Sequence, residues 1–441
     1  MKLVSIHKLH VLIIITMLVA PSGVAQHVWT LEQCIDTAKV HNKQLSISAR
    51  NIDAASESKA ASRAQLIPKL MVNADYRYFT DLPYQLMPMS VFGGPEGQFK
   101  EAQFGVPHNI NANLQLSIPI YDPQTYGKIE AAEKGVKLRE LVHQKTTEQL
   151  FFEVSNLYYN AQIIERNLNF LDSNIINTEQ VLENTKALAE QLLAKKSDVS
   201  KIQLKLDQLN NQRKQTESQY KQVMNALKFL VGLDLDYSLQ IEQEFQFKPL
   251  KEYEEKETID FKIAQTKLSM ASTELKTAKQ SRLPSLSLFG SYGTTGFGYD
   301  QEPNRFLNFY PIGFGGIRMT YPLFNGTVTQ HIINEKSIAE KNAQTQVELT
   351  KDESRLEFIN AKLKLSAAYS NILQTERQVN FAKEIFQQTL DEYTQEVANL
   401  TELIMSDSEL QQAQMEYLSA VIEYLKADLS LKKLSGNFEI K

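Results

Sequence analysis

The segment KDESRLEFINAKLKLSAAYSNILQT (residues 351–375) decides the fold. It lies inside residues 327–435, a stretch that contains neither glycine nor proline, the two residues that most readily interrupt a helix. Apolar residues recur every three or four positions, as at Leu356, Ile359 and Leu363, and polar residues fill the positions between them. This spacing predicts very long helices with one buried stripe.

A second such stretch covers residues 136–231, which also lack glycine and proline. Shorter landmarks repeat with it. Residues 67–72 (IPKLMV) recur as residues 283–288 (LPSLSL), and residues 117–122 (SIPIYD) recur as residues 320–325 (TYPLFN). Because chance rarely aligns several landmarks in order, the chain is predicted to be internally duplicated. Each half should run helix, strand, loop, strand, long helix, turn, helix.

The domain boundaries predicted from this repeat include a signal peptide, two structural repeats, a linker and a short tail. The signal peptide has the usual positive start, apolar run and small-residue cleavage site, here Gly23-Val24-Ala25. The predicted divisions are residues 1–25 (signal peptide), 26–232 (first repeat), 233–253 (linker), 254–436 (second repeat) and 437–441 (tail).

The composition excludes several classes of function. Hydrophobic residues make up 42% of the chain and charged residues 22%, which is typical of an ordered protein. The net charge of −5 comes without a basic stripe, which argues against a nucleic-acid partner. The histidines are scattered and no phosphate-binding loop or nucleophile motif occurs, so we expect no metal, no cofactor and no enzymatic activity. The single cysteine, Cys34, is predicted to be a small buried residue on the first helix.

Four segments alternate between apolar and polar residues, which is the period of a strand with one apolar face. A helix over residues 31–65 is predicted to precede the first of them. The second ends at Asp122-Pro123, which suits a helix N-cap followed by the first helical position. Residues 80–108, between these two strands, are predicted to be irregular. The apolar positions are Leu70, Val72, Ala74, Tyr76 and Tyr78; Ala112, Leu114, Leu116, Ile118 and Ile120; Leu286, Leu288, Gly290 and Tyr292; and Ile317, Met319, Tyr321 and Leu323.

Strands of this length and pattern fit a bilayer, but four of them cannot close a sheet. An open edge in lipid leaves backbone groups unpaired at a cost of roughly several kcal/mol each. Several chains must therefore share one barrel. Two chains would give about eight strands, narrow enough for side chains to fill, and three would give about twelve strands with a lumen. These considerations leave both assemblies open.

Three features together resemble the TolC family of outer-membrane efflux and secretion channels. They are the opening LEQCIDTA at residues 31–38, the paired proline-to-strand junctions and the tandem halves with glycine-ended helices. The resemblance covers essentially the whole mature chain. It implies a mainly α fold with β-structure: a homotrimer with a shared twelve-stranded barrel in the lipid of the outer membrane, above long helical hairpins that form a periplasmic tunnel. It also implies a passive exit duct of a tripartite efflux pump or type I secretion system. Its expected partners are a periplasmic adaptor protein and an inner-membrane transporter.

Two alternatives belong to other classes of protein. A periplasmic adaptor also contains a helical hairpin, but it would need compact β-domains and would lack the inner duplication. A coiled-coil structural stalk should keep strict heptads and needs no repeated strand pairs.

The long helices are predicted to turn near residues 195–198 and 399–402, where Ser197, Asn399 and Thr401 are candidate N-caps. A turn is required because an isolated helix of this length needs a partner along its surface. Each turn therefore folds the second helix of a hairpin back onto the first.

Family members often carry a Tyr-x-x-Gly pattern at these turns, near the periplasmic tip. Here Tyr393 is followed three residues later by Glu396, and the matching first-half position is Leu192, so both glycines are missing. The resemblance makes the tip a candidate contact for the adaptor. Its candidate residues are Leu192, Ser197, Glu396, Asn399 and Thr401.

In the family, acidic residues just past the turn form the narrowest ring of the closed tunnel. The matching position is Glu402, with Asp198 as its first-half counterpart. The second acidic position falls on Met405, and Asp407 is the nearest substitute. Three copies of Glu402 around an axis would repel one another and attract cations, which is the gate hypothesis. The alternative is that Glu402 is only a capping carboxylate at a helix N-terminus.

Aromatic residues near the strands are a candidate interfacial girdle, since such residues collect where a bilayer meets water. The candidates are Tyr76, Tyr78, Phe79, Tyr292 and Phe297. The alternative is that they pack within loops.

Overall fold

The computed structural model describes residues 28–103, 105–243, 252–299, 308–395 and 397–436. The predicted signal peptide and tail, and part of the predicted linker, lie outside these ranges. The chain divides into two compact units, and each unit takes segments from both predicted repeats. One unit comprises Met1–Ile47, Gln144–Thr258 and Glu353–Lys441, and the other comprises Ser48–His143 and Ile259–Asp352.

Helices account for most of the described chain. Those of the first half are α1 (Leu31–His41), α2 (Lys43–Ala64), α3 (Pro123–Glu190) and α4 (Lys196–Val231), and those of the second half are α5 (Ile259–Gln280), α6 (Val328–Thr394) and α7 (Leu400–Leu434). Each long region without glycine or proline is thus divided by a turn between two helices, as predicted. Among the described helices, none is both long and apolar enough to cross a membrane.

The helix ends follow local capping chemistry. The Asp122 carboxylate accepts hydrogen bonds from backbone N–H groups of the first turn of α3, and Pro123 occupies the first helical position. Gly232 ends α4 with φ 82°, a conformation that glycine adopts readily. The prediction of one helix over residues 31–65 is wrong at Asn42. There the backbone is extended, and the Asn42 side chain accepts a hydrogen bond from the Leu45 N–H to start α2.

The strands are β1 (Val28–Trp29), β2 (Lys69–Tyr78), β3 (Tyr84–Pro88), β4 (Phe99–Gln103), β5 (His108–Tyr121), β6 (Gln240–Ile241), β7 (Ser285–Gly298) and β8 (Asn308–Thr320). The four long strands form one antiparallel sheet in the order β2-β5-β7-β8. A typical row across it joins Val72, Leu114, Tyr292 and Gly313. Within the described residues, β2 and β8 each pair along one side only, so the sheet has two open edges.

The two faces of this sheet differ in charge. Because successive side chains of a strand point to opposite faces, the register assigns every strand residue to one face. The face that contains Val72 and Tyr292 carries no Asp, Glu, Lys or Arg on any of the four long strands; we call it the uncharged face. The opposite face, here called the polar face, carries asparagine, serine and a few charged residues.

Residues 80–108 are more ordered than predicted. β3 and β4 form an antiparallel hairpin, and a single turn of 3₁₀-helix, Met89–Phe92, follows β3. The sequence did not reveal the hairpin because its two strands are short and do not alternate cleanly. The predicted linker is also partly structured, since β6 pairs in parallel with β1.

The first of the two units is packed by apolar side chains that include Leu418, Val421 and Leu425, which recur every three or four positions along α7. On α6 the prediction of one buried stripe is wrong. Leu356 and Leu363 are exposed in the chain, as is Ile359, and the buried residues lie on the other side of the helix. The buried side includes Phe358, Leu365, Ala368 and Ile372. Helix α6 therefore carries two apolar stripes, and its own chain covers only one of them.

Candidate functional site

The turn between α3 and α4 requires a left-handed residue, and that residue is Leu192. Its φ is 62°, and the Leu193 N–H donates to the Leu188 carbonyl over 2.9 Å. This is the backbone pattern in which a helix usually ends at glycine. The Leu192 side chain is 92% exposed and packs against almost nothing. The absence of glycine from the first turn therefore has a structural consequence: Leu192 adopts a left-handed conformation that is energetically unfavourable for leucine.

The turn between α6 and α7 is built by a reciprocal cap. The Asn399 side chain accepts hydrogen bonds from the N–H groups of Thr401 (2.9 Å) and Glu402 (3.1 Å). In return, the Glu402 carboxylate accepts from the Asn399 N–H over 3.2 Å. Glu402 thus caps its own helix, as the alternative interpretation stated, while remaining exposed. Glu396 lies outside the described residues.

The other predicted caps are wrong. The N-cap of α4 is Lys195, without a side-chain cap, and Ser197 lies inside the first turn. Thr401 likewise lies inside α7. Asp198 is also in the first turn of α4, where its carboxylate pairs with Lys201 at 3.4 Å and its side chain is 22% exposed. At this end of α4, a first-turn acid replaces a capping side chain.

Asp407 lies apart from Glu402, although both are on α7. Its side chain is buried against α4, where it pairs with Lys205 at 3.4 Å and accepts a 2.7 Å hydrogen bond from Gln411. Loss of hydration raises the pKa of this carboxyl, outweighing the attraction of Lys205 and the hydrogen bonds. A cavity of about 30 Å³, the size of one water, adjoins the pair. Of the predicted gate acids, only Glu402 is freely exposed within the chain.

Sequence reasoning missed the polar contacts that join the two hairpins. Thr185 on α3 and Tyr393 on α6 form a buried hydroxyl–hydroxyl hydrogen bond of 2.8 Å. Farther along, Asn174 on α3 donates to the Gln414 side chain on α7 over 3.1 Å. The position of Tyr393 in the Tyr-x-x-Gly pattern was the only available signal. Thr185 carried none, because a threonine among helical polar residues is unremarkable.

The predicted aromatic girdle is divided between the two faces of the sheet. Tyr76, Tyr78 and Tyr292 lie on the uncharged face, whereas Phe297 lies on the polar face. Phe79 directly follows β2. The Tyr76 hydroxyl lies 2.7 Å from His108 Nδ1. The three tyrosines share one face and Phe297 lies on the other, and the girdle stays a prediction.

The structure gives two observations on metal-ligating and thiol groups, both limited to the described part of the chain. No group of three or more His, Cys, Asp or Glu residues there could hold a metal ion. Cys34 is fully buried, and burial raises the pKa of its thiol to about 12, so the thiol stays protonated. This placement agrees with the structural role predicted for it.

Comparison with known proteins agrees with this geometry. The family model described as Outer membrane efflux protein matches residues 34–233. Outer membrane protein TolC of Vibrio cholerae is 22% identical over 364 residues, which cover 80% of this chain and 74% of that protein. TolC of Escherichia coli is 21% identical over 368 residues, covering 79% of this chain and 66% of that protein.

Solved structures of outer-membrane channels have the same fold. VceC of Vibrio cholerae superposes with a TM-score of 0.75 at 16% identity, covering 92% of this chain and 96% of that one. The open state of the MtrE channel of Neisseria gonorrhoeae gives a TM-score of 0.72 at 17% identity, covering 92% and 88%. At these identities the likeness establishes the fold.

Proposed function

We propose that the chain is a member of the TolC family of outer membrane efflux proteins and that three copies form a passive exit duct through the outer membrane. Each copy contributes the four strands of its sheet to one shared barrel, and the helical hairpins form a periplasmic tunnel. Solutes are handed to the duct by an inner-membrane transporter through a periplasmic adaptor. The duct itself supplies a path and no chemical reaction.

The observation that carries this proposal is the sheet. As far as the structure describes the chain, this sheet has four strands, two open edges and one face without a charged residue. An uncharged face on every strand suits lipid, and open edges in lipid must be paired. Pairing β8 of one copy with β2 of the next satisfies both edges without any new strand. Three copies give about twelve strands, which is enough for an open lumen.

The second apolar stripe of α6 supports the same assembly. Between residues 356 and 385 its members lie on one side of the helix and are 45–65% exposed. A helix that presents apolar side chains on two sides is normally packed on two sides. The proposed trimer would cover this stripe with a neighbouring copy. The stripe comprises Leu356, Ile359, Leu363, Leu373, Phe381 and Ile385.

The test measures mass and conductance together. The mature protein, extracted in detergent, should have the mass of three chains and should form long-lived single channels in a planar bilayer. Leu363→Glu should weaken the trimer, because a carboxylate would be buried in the subunit interface. Lys364→Gln is the matched control, since it changes the net charge equally on the next residue, which lies off the stripe. A monomer with no affinity for bilayers would refute the proposal.

A further inference from the structure

Within the part of the chain that the structure describes, two cations on the polar face of the sheet have no ionic partner. Four charged residues lie on that face: Lys69, Asp75, Arg77 and Arg318. Asp75 and Arg77 neutralise each other in an ion pair of 2.9 Å. Within the described residues, Lys69 and Arg318 form no ion pair, and both are exposed. They lie near the same end of the sheet, on its two edge strands, because the row of Lys69 on β2 meets β8 at Gly316, two residues from Arg318.

An aromatic cluster adjoins these cations on the same face. The Arg318 guanidinium lies 4.7 Å from the centre of the Phe289 ring, and Phe289 packs edge-on against Phe314 at 6.3 Å. Ile312 and Tyr310 extend the apolar surface along β8, and both are exposed. A channel lumen that carried only water and salt would not need exposed aromatic side chains on its inner wall.

The other half of the polar face is lined by amides. The Asn73 side chain donates to both Asn113 and Gln115, across the β2–β5 pair. Asn111 in turn donates to Asp75, which is already paired with Arg77. These groups are neutral as a set and hydrogen-bonded to each other. The face is therefore divided into an amide half on β2 and β5 and an aromatic half on β7 and β8, with the unpaired cations at one end.

We propose that Lys69, Arg318, Phe289 and Phe314 form a transit site for amphiphilic organic anions, solutes with an anionic head and an aromatic or apolar body. The inference rests on the proposed duct, in which the polar face lines the lumen. In the proposed barrel β8 of one copy pairs with β2 of the next, so the anionic head would lie between Arg318 of one copy and Lys69 of its neighbour. The apolar body would lie against the Phe289 and Phe314 rings. The substrate class follows from this charge and surface complementarity.

The dimensions of the barrel bring the site within reach of every solute. Twelve strands about 4.8 Å apart and tilted by about 40° give a backbone radius of roughly 12 Å. Long Lys and Arg side chains reach about 6 Å inward, which leaves roughly 6 Å between each charge and the axis. That distance is shorter than the Debye length of about 10 Å at 0.1 M salt. Three copies of both cations therefore act on any ion in the lumen at low salt.

The experiment uses the mature full-length protein in planar bilayers at about 0.1 M salt, where charge effects are not screened. The probes are 2-naphthalenesulfonate, methanesulfonate and 1-naphthylmethylammonium, which separate the anionic head from the aromatic body. We expect 2-naphthalenesulfonate to reduce the current at a concentration about fivefold lower than either other probe.

Two variants assign the effect to its parts. The double variant Lys69→Gln/Arg318→Gln should lose the preference for 2-naphthalenesulfonate over 1-naphthylmethylammonium. Phe314→Ser should lose the preference for 2-naphthalenesulfonate over methanesulfonate. Asn113→Ser, on the amide half of the same face, is the control and should keep both preferences.

The outcomes separate this proposal from the duct itself. Normal channels with equal block by all three probes, or with preferences that survive both variants, would overturn the transit site and leave the duct intact. Complete absence of channels in the unaltered protein would refute the duct, and the transit site with it.

Discussion

Replacing Thr185 or Tyr393 should loosen the helix-turn end of the hairpins by amounts that their hydrogen bonds predict. The Thr185 hydroxyl donates to the Val181 carbonyl over 2.8 Å. Its proton is thereby used, so Tyr393 must be the donor in the 2.8 Å bond between the two hydroxyls. Thr185 is 0% exposed and Tyr393 7%, so water cannot replace either partner.

The two single substitutions are therefore unequal. Tyr393→Phe removes one hydrogen bond and leaves no donor unpaired, which should cost about 1 kcal/mol. Thr185→Val keeps the shape of the side chain but leaves the Tyr393 hydroxyl buried without an acceptor, at a cost of about 2 kcal/mol. The double variant removes both polar groups. It should therefore be more stable than Thr185→Val, although it carries one more substitution.

The assay is hydrogen exchange of the detergent-extracted protein, read by mass spectrometry on peptides of α3 and α6 near their turns. It measures the free energy of local opening. Tyr393→Phe should speed exchange about fivefold and Thr185→Val more strongly, with the double variant in between. Thr178→Val is the matched control, because among the described residues the Thr178 hydroxyl bonds only to the carbonyl four residues earlier. Faster exchange in the double variant than in Thr185→Val would refute the assigned donor.

Three further outcomes follow from the turns. Leu192→Gly should slow hydrogen exchange at the first turn. The strain removed from the left-handed leucine (about 1–2 kcal/mol) exceeds the conformational entropy cost of ordering a glycine (about 0.5–1 kcal/mol). Leu193→Gly, which removes no such strain, should speed exchange. Glu402→Gln keeps an oxygen for the cap but removes the charge. Hydrogen exchange should change little, whereas the current should lose its cation preference, and an unchanged current would exclude the gate. Burial raises the pKa of Asp407 in the folded chain despite the nearby Lys205. Acidification through that pKa should therefore stabilise the turns. Hydrogen exchange measured against pH should show this dependence, and Asp407→Asn should abolish it.

Local chemistry was predictable from the sequence because it depends on neighbouring residues. Asp122-Pro123 predicted a helix start and Gly232 predicted a helix end, and both are observed. The cap made by Asn399 and Glu402 matches the alternative interpretation of Glu402 as a capping carboxylate. The strand pattern was also predictable, because apolar and polar side chains alternate along every strand of a sheet that has one apolar face and one polar face.

Contacts between distant segments were not predictable from the same patterns. Leu356 and Leu363 have the spacing of a buried stripe, yet they are exposed, because the same spacing serves a core and a subunit interface equally. Phe297 was grouped with the tyrosines by proximity in sequence, and only the register of β7 places it on the other face. Asp407 looked like an exposed acid because its partner, Lys205, is some two hundred residues earlier in the chain.

The contacts between the hairpins also indicate which part of the chain can move. The apolar cluster near the turns, which includes Leu206, Phe386 and Leu403, is non-directional, so a small slide or rotation would preserve most of its burial. The hydrogen bonds and the ion pair that cross between the hairpins are directional and must break, at about 0.5–1.5 kcal/mol each. Separating strands of a lipid-embedded sheet would instead leave backbone groups unpaired at roughly several kcal/mol each. Because the first cost is much smaller, we expect opening and closing at the helix turns, with the sheet as the fixed part of the duct.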